Sequence, residues 1–267
     1  QVGEAVCTLH QVSTAPARER LEQVSLTLKA GEIVAIAGVS GNGQVALAEV
    51  LCGTRRITQG QLSLSGQPYP TQPAQLVAQG VARIPEDRHA VGVVGDLPVW
   101  ENAVSERLRS RVFSKLLWVR RRAAQAYAAQ VIARFDVRGG GALSSARALS
   151  GGNMQKLILG RALLHPQADS LGAAATPRLI IAHQPTWGLD IGAVDYVQQQ
   201  LIAARDAGAA VLLISDDLDE VLTLGDRVAV MHGGQLSAAL PALEWTRESI
   251  GLAMAGAHVT DPSEASA

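Results

Sequence analysis

The residues with the clearest chemical potential lie in a glycine-rich loop, GVSGNGQV, that begins at Gly38. The loop follows the apolar run EIVAIA and precedes QVALAEVL, the order of strand, loop and helix that a phosphate-binding loop requires. In the pattern GxxxxGK followed by Ser or Thr, Gln44 takes the lysine position and Val45 the hydroxyl position. Gln44 brings no charge to the phosphates, and Val45 cannot bind Mg²⁺. We assign to this weakened nucleotide site Gly38, Ser40, Gly41, Asn42, Gly43, Gln44 and Val45.

A second candidate binding segment is LSGGNMQK, which begins at Leu149. Ser150 stands where a helix N-cap belongs, and the glycines after it let backbone N–H groups approach a ligand at the helix N-terminus. This pattern is typical of an anion-binding helix end. A glycine-rich cap without a ligand would explain Ser150, but not the glycine pair with Gln155 and Lys156 behind it. The residues we assign to this end are Ser150, Gly151, Gly152 and Asn153.

LSGGNMQK resembles the signature motif of ABC-type ATPases, and further motifs of that family lie around it in the family's order, covering nearly the whole chain. GVSGNGQV lies at the Walker A position, and IPEDR places Glu86 at the position of the Q-loop glutamine. LIIAHQPTWGLD lies at the Walker B and D-loop positions, and LLISDDLDEV lies at the position of the switch histidine. Five motifs in order are far more specific than any one of them, and the resemblance implies ATP as the ligand.

The departures from the family pattern all weaken the chain's own site. His183 and Gln184 stand at the positions of the Walker B aspartate and the catalytic glutamate, and Asp216 replaces the switch histidine. Imidazole is a poor partner for Mg²⁺, and an amide cannot act as a general base. The resemblance therefore implies weak ATP binding here, with Mg²⁺ held only at a partner's site. The degenerate catalytic positions are Gln184, Asp216 and Glu86.

Structural interpretations of the same residues stay open at this point. The loop at Gln44 could be unrelated to nucleotides, and His183 taken alone is better explained as a packed histidine at a strand end. The acidic run DDLDE from Asp216 also suits the first turn of a helix, where it would complement the macrodipole. Trp187 could fill the core or pack at an interface. No histidine or cysteine has metal-ligand spacing, so no metal site is predicted.

Composition and hydrophobic patterning set the fold class. The net charge of -1 gives no field that would recruit nucleic acid, and no apolar stretch approaches the roughly 20 residues of a membrane helix. Strands are predicted at VCTLHQV, VSLTL, EIVAIAG, QLSLSG, VARI, LIIA, AVLLIS and RVAVM. Helices are predicted to begin near Gly43, Thr71, Trp100, Ser150, Ile191 and Asp217. This alternation indicates an α/β fold with a mainly parallel sheet and an antiparallel β layer near the N-terminus.

The domain prediction is a single ABC-type nucleotide-binding domain over residues 1–255, followed by a flexible tail over 256–267. Between Glu101 and Ser150 no strand pattern is visible, so residues 101–150 are predicted to form an inserted helical subdomain. A flexible insertion is predicted near 166–177, where the sequence is rich in Ala and Gly.

One branch of the family combines these features, since PEDR, LSGGN and QPTWGLD resemble phrases in the second of two fused ATP-binding domains of simple-sugar and nucleoside importers. The resemblance implies a partner N-terminal ABC domain in the same subunit, membrane permease subunits, indirectly a solute-binding protein, and a peripheral place on the cytoplasmic face of the membrane. GNGQ and PTWGLD favour the nucleoside type, and the first residue, Gln1, suggests a fragment. The alternatives are an independently active ATPase with an atypical site and a regulatory ABC protein without a permease.

Overall fold

The structure, a computed structural model, describes residues 2–116, 118–166 and 176–256. The predicted insertion near 166–177 and the predicted tail lie almost wholly outside these residues. The chain divides into two compact units, Gln1–Tyr69 with Ala210–Ala267, and Pro70–Ala209. We call them the first and the second unit. None of the described helices has the length and apolarity needed to cross a membrane.

Each strand and helix that the sequence predicts is present, close to its expected position. In chain order the strands are β1 (Ala5–Thr14), β2 (Val24–Lys29), β3 (Glu32–Ala37), β4 (Ile57–Leu64), β5 (Gln67–Pro68), β6 (Val81–Ile84), β7 (Ser114–Lys115), β8 (Trp118–Val119), β9 (Leu179–His183), β10 (Ala210–Ser215), β11 (Arg227–His232), β12 (Gln235–Leu236) and β13 (Leu240–Pro241). The helices are α1 (Gln44–Leu51), α2 (Pro73–Ala78), α3 (Val99–Val104), α4 (Arg121–Arg134), α5 (Gly151–Leu163), α6 (Ile191–Asp206), α7 (Leu218–Leu224) and α8 (Arg247–Met254).

The first unit contains the antiparallel layer and a group of parallel strands. The layer has the strand order β2, β1, β4, β5, and β2 alternates buried and more exposed residues as expected of a sheet with one face toward the core. Strand β3 lies between β10 and β11 and runs parallel to both. All six residues of β3 are buried, which is typical of a parallel strand covered on both faces.

An ion pair and a shared sheet edge fix the position of β3. Arg227 on β11 donates from Nε and Nη2 to the two carboxylate oxygens of Glu32, which is only 3% exposed. In the register, Ala37 pairs with Ser215 of β10. The loops that follow β3 and β10 therefore begin side by side.

The second unit contains two parallel strands, β6 and β9, with Ile84 opposite Ala182. The segments after these two strands therefore also begin at a common edge. Helices α3, α4 and α5 pack together in this unit, and α5 also contacts α6. Gly160 permits the close approach of α5 to α4, since a Cβ there would lie 2.5 Å from Cγ1 of Val131.

A buried charge cluster holds α5 in the second unit. Oε1 of Glu106 accepts a hydrogen bond of 2.7 Å from Nε of Arg83, and Nη2 of Arg161 on α5 lies 3.4 Å from the same oxygen. Nη1 of Arg107 donates to the carbonyl oxygen of Arg161. Burial raises the pKa of Glu106, but Arg161 and Arg83 outweigh it and hold that pKa below its ordinary value. The carboxylate therefore stays charged among the arginines.

The α/β fold class with a parallel sheet and an antiparallel layer is confirmed. The prediction that no strand lies between Glu101 and Ser150 is wrong, because β7 and β8 form a short antiparallel hairpin there. Its turn places Leu116 at a φ of 50°, and α4 begins after the hairpin, at Arg121. A two-residue strand leaves too short a pattern to detect from sequence. The boundaries proposed for the helical subdomain remain a prediction.

Candidate functional site

The loop at the Walker A position lies in the first unit, between the end of β3 and the start of α1. Gly38 has no room for a side chain, because a Cβ would lie 2.6 Å from Nε2 of Gln44 and 2.8 Å from the carbonyl oxygen of Met231. Gly43 has a φ of 118° and precedes the first turn of α1. Ser40 and Gly41 are exposed at the tip. The backbone thus has the glycine-dependent shape of a phosphate-binding loop.

Gln44 folds back into this loop instead of pointing toward a ligand. Its Nε2 donates to the carbonyl oxygen of Val39 at 2.8 Å, and its Oε1 accepts from the backbone N–H of Asn42 at 3.0 Å. The residue is 5% exposed. The amide therefore closes the loop internally and occupies a backbone donor that would otherwise face an anion.

A carboxylate of the same chain takes a second donor. The backbone N–H of Val45, in the first turn of α1, donates to Oε2 of Glu19 at 3.0 Å. The side chain of Asn42 is also engaged, with Nδ2 on Val39 and Oδ1 accepting from the backbone of Gly233. Glu19 lies where the helix N-terminus favours a negative charge. The loop is satisfied by internal groups at the positions where phosphate binding needs free donors.

Asp216, the residue at the switch position, follows β10 at the same sheet edge as the loop after β3. It is exposed and does not cap α7. Asp217 is the N-cap, with a carboxylate that accepts from the backbone N–H groups of Asp219 and Glu220. The structural interpretation of the acidic run therefore holds for Asp217, which caps α7, and for Asp219 and Glu220 in its first turn, but not for Asp216.

Glu86 and His183 meet in the second unit, because they follow the paired ends of β6 and β9. Nε2 of His183 lies 3.6 Å from Oε2 of Glu86. His183 is the last residue of β9 and is 7% exposed, which agrees with a packed histidine at a strand end. The pair becomes an ion pair only when the imidazole is protonated.

Gln184 follows directly and reverses the chain. It is 7% exposed and has a φ of 48°, a left-handed conformation that side chains other than glycine adopt at a cost. Its carbonyl oxygen accepts from the backbone N–H of Trp187. Trp187 itself is 62% exposed, which excludes the core-filling interpretation.

The signature segment forms the helix start that its sequence predicts. Oγ of Ser150 accepts from the backbone N–H of Asn153 at 3.4 Å and from Nδ2 of the same residue at 2.9 Å. Oδ1 of Asn153 accepts from the backbone N–H of Arg138 at 2.7 Å. Ser150 is exposed, so its side of the helix end is open to a ligand.

A polar cleft of about 280 Å³ lies beside this helix end, between the starts of α5 and α6. The two helices approach each other at Gly152, where a Cβ would lie in van der Waals contact with Cβ of Ala193, at 3.4 Å. The residues that line the cleft are Asp136, Arg138, Ser150, Gly152, Asn153, Lys156, Asp190, Gly192, Ala193 and Tyr196.

Charged and aromatic side chains contact one another in the cleft. Nζ of Lys156 lies 3.1 Å from Oδ2 of Asp136 and 5.0 Å from the centre of the Tyr196 ring. Hydrogen bonds from Arg138 and Lys156 lower the pKa of Asp136. Burial raises the pKa of Tyr196, and the charge of Asp136 adds to this effect. Two cations, Arg138 and Lys156, and two carboxylates, Asp136 and Asp190, line the cleft, so their formal charges balance. The groups here that suit an anionic ligand are the backbone amides at the start of α5.

The predicted site residues fall into two groups. The Walker A loop and Asp216 belong to the first unit, whereas Glu86, Gln184 and the signature segment belong to the second. Sequence reasoning missed Glu19, Arg88 and Arg138. Glu19 and Arg88 act through contacts 26 and 99 residues away in sequence, which leave no local pattern.

Comparison with known proteins identifies a family and relatives within it. Residues 21–168 match the family described as ABC transporter. The guanosine import ATP-binding protein NupO of Bacillus subtilis is 38% identical over 99% of this chain and 51% of its own length. The glucose import ATP-binding protein TsgD13 of Haloferax volcanii is 38% identical over 95% of this chain and 45% of its own. The chain thus spans about half the length of these relatives.

Solved structures agree at the level of the fold. A nucleotide-free ATP-binding cassette from an ABC transporter superposes with a TM-score of 0.71, at 21% identity, over 98% of each chain. The ATP-binding cassette MJ1267 in its ADP conformation gives a TM-score of 0.69 at 21% identity, covering 97% of this chain and 96% of its own.

Proposed function

Because this chain belongs to the ABC transporter family, we propose that it is an energy-coupling, ATP-binding domain of an importer for nucleosides or simple sugars. The relatives named as guanosine and glucose import ATP-binding proteins support this solute range. Because the chain spans about half of each relative, we propose that a domain corresponding to the unmatched half pairs with it. We propose that this partner is an N-terminal ABC domain of the same subunit.

The observation that carries the proposal is the contrast between the Walker A loop and the N-terminus of the signature helix, the two segments expected to bind phosphate. The Walker A loop is closed by Gln44 and Glu19, whereas the signature helix end at Ser150 opens beside a polar cleft. We propose that this chain supplies its signature in trans to the ATP held by the partner. Its own site then binds ATP weakly and turns it over little or not at all.

The residues at the chain's own site do not fit Mg²⁺ or the phosphates well. Val45 offers no oxygen ligand for Mg²⁺. His183 stands at the position of the Walker B aspartate and faces Glu86, so that position supplies no carboxylate. A phosphate would have to displace the Glu19 carboxylate from the Val45 N–H and would be repelled by it. We therefore assign Mg²⁺ to the partner's site only.

The signature end has the chemistry to stabilise a terminal phosphate of the partner's ATP. Backbone N–H groups at the N-terminus of α5, including those of Gly151 and Gly152, point along the helix axis and carry its partial positive charge. Ser150 adds a hydroxyl, and Asn153 holds it in place. Such preorganised donors act most strongly on charge that develops in a transition state.

We further propose that residues 101–150 contact a membrane permease, which places the domain peripherally on the cytoplasmic face of the membrane. The β7–β8 hairpin in this stretch supports the proposal, since Leu116 is 84% exposed and Trp118 is 80% exposed. A solute-binding protein would act on this domain only indirectly, through the permease.

Purification with and without the partners tests the proposed function. We expect no ATP turnover by the chain alone, and turnover together with co-purifying permease when the partner ABC domain and permease are co-expressed. Turnover by the chain alone would support an independent ATPase instead. An active assembly that never retains a permease would support a regulatory protein.

A further inference from the structure

Arg88 occupies a buried position that none of the assigned motifs explains. It follows Glu86 and Asp87 and begins a short π-helical turn, Arg88–Gly92. Oδ1 of Asp87 accepts from the backbone N–H groups of His89 and Ala90, which fixes the start of this turn. Arg88 is 9% exposed, although its neighbours Asp87 and His89 are exposed.

The guanidinium of Arg88 binds the turn that follows β9. Nη1 donates to the carbonyl oxygen of Trp187 at 2.7 Å, and Nη2 donates to that of Gly188 at 3.1 Å. The planar fork of an arginine suits two adjacent acceptors in this way, whereas a lysine ammonium would not. One side chain therefore joins the segment after β6 to the turn after β9.

The same guanidinium packs against the first residue of the signature helix. A Cβ on Gly151 would lie 3.3 Å from Nε and 3.4 Å from Nη2 of Arg88. A Cβ on Gly188 would lie 3.3 Å from Nη2. Two glycines, one in each segment, thus leave the space that the guanidinium fills.

Two features of the Arg88 position are unfavourable for the stability of the fold. Nε of Arg88 is buried and has no hydrogen-bond partner among the described residues. The guanidinium also places a positive charge beside the N-terminus of α5, where the helix dipole is itself positive. The two hydrogen bonds to the turn after β9 offset these contributions and hold the guanidinium beside Gly151.

We infer that Arg88 is a positioning residue that couples the segment at the Q-loop position to the D-loop turn and to the signature helix start. A displacement of residues 86–92 would carry the Arg88 side chain with it. The Trp187 and Gly188 carbonyls and the packing against Gly151 would then change together. The coupling itself follows from contacts within the second unit. Its effect on ATP turnover rests on the proposed function, in which the signature acts on the partner's ATP.

Hydrogen exchange in the full-length protein that contains this chain tests the coupling directly. In R88Q we expect the hydrogen-bonded amides of residues 153, 154, 187 and 189 to exchange about tenfold faster or more, while amides of the first unit stay unchanged. R88K keeps the charge but loses the fork, so we expect a smaller increase at the same two segments. R122Q, which changes an exposed arginine on α4, is the matched control and should show neither increase.

Unchanged exchange at residues 153 and 154 in R88Q would overturn the inference. If R88Q is globally destabilised, R88K decides, since a uniform increase across the second unit in R88K would contradict a local positioning role. In the transporter we expect R88Q to lower kcat about tenfold while KM for ATP changes less than about twofold. Local loss of protection with normal turnover would leave the coupling standing and contradict the trans-acting signature.

Discussion

At the scale of single residues, the chain's Walker A loop differs from a working one in how its donors are used. The loop keeps its glycine-dependent shape, but Gln44 binds the Asn42 N–H and Glu19 binds the Val45 N–H. The loss of the lysine thus comes with internal groups that take over the phosphate's hydrogen bonds. This internal bonding supports the proposed weak ATP binding more strongly than the missing charge alone does.

Removing the Glu19 charge should therefore strengthen anion binding at this loop. We expect E19Q to improve ATP affinity about fivefold, since one less negative charge at a part-exposed site is worth about 1 kcal/mol. Titration calorimetry on the chain with and without Mg²⁺ measures the change, and Mg²⁺ should add little. E22Q, which alters a neighbouring carboxylate paired with Arg20, is the control. Equal affinity in wild type and E19Q would show that Glu19 does not occupy the phosphate position.

At the scale of secondary-structure elements, the position of the signature helix depends on the buried cluster around Glu106. The arginines that lower the pKa of Glu106 come from β6, from the turn after α3 and from α5 itself. Removing the carboxylate leaves Arg161 buried with its charge uncompensated. A change at this cluster should therefore be transmitted to α5.

Replacing Glu106 by Gln should destabilise the second unit and change its acid response. We expect a loss of about 3–5 kcal/mol, the usual cost of breaking a buried ion pair. Because the folded-state pKa lies below the ordinary value of 4.5, the stabilisation is complete above that pH and is lost as the pH falls through the folded pKa. Urea unfolding at pH 7 and below pH 4 measures the free energy of unfolding. This free energy should fall less with decreasing pH in E106Q than in the wild type. D206N, at an exposed carboxylate, should unfold as the wild type does.

Sequence patterns predicted the elements well and the contacts between them poorly. The N-cap at Ser150 was predictable because a cap depends on neighbouring residues only. The start of α7 near Asp217 was predicted as well, and the structure makes Asp217 rather than the adjacent Asp216 its cap. Glu19 and Arg88 could not be predicted, because their roles arise when distant segments meet in the fold.

At the scale of the whole molecule, we predict that the two composite sites of the assembled transporter, each formed by the Walker motifs of one domain and the signature of the other, are used unequally. ABC domains pair head to tail, and closure needs ATP at the interface, as the resemblance implies. This chain offers an open signature but a closed Walker A loop. Two copies would therefore lack the bound ATP that should join them.

The chain should consequently remain monomeric when ATP is added. We expect one light-scattering mass, that of a monomer of 27.9 kDa, with or without ATP and Mg²⁺. The partner ABC domain should form an ATP-dependent complex with this chain, which serves as the positive control. An ATP-dependent homodimer would contradict the account at this scale.

The most direct measurement is ATP turnover by the reconstituted transporter with paired changes at the two composite sites. G151D puts a carboxylate at the signature helix end and against Arg88, so we predict a fall in kcat of about a hundredfold or more. Q184E restores a carboxylate at a site without the lysine, the hydroxyl or the Walker B aspartate, so we predict turnover within about twofold of wild type. An active G151D together with a strong gain in Q184E would mean that this domain hydrolyses ATP at its own loop, and would contradict the account.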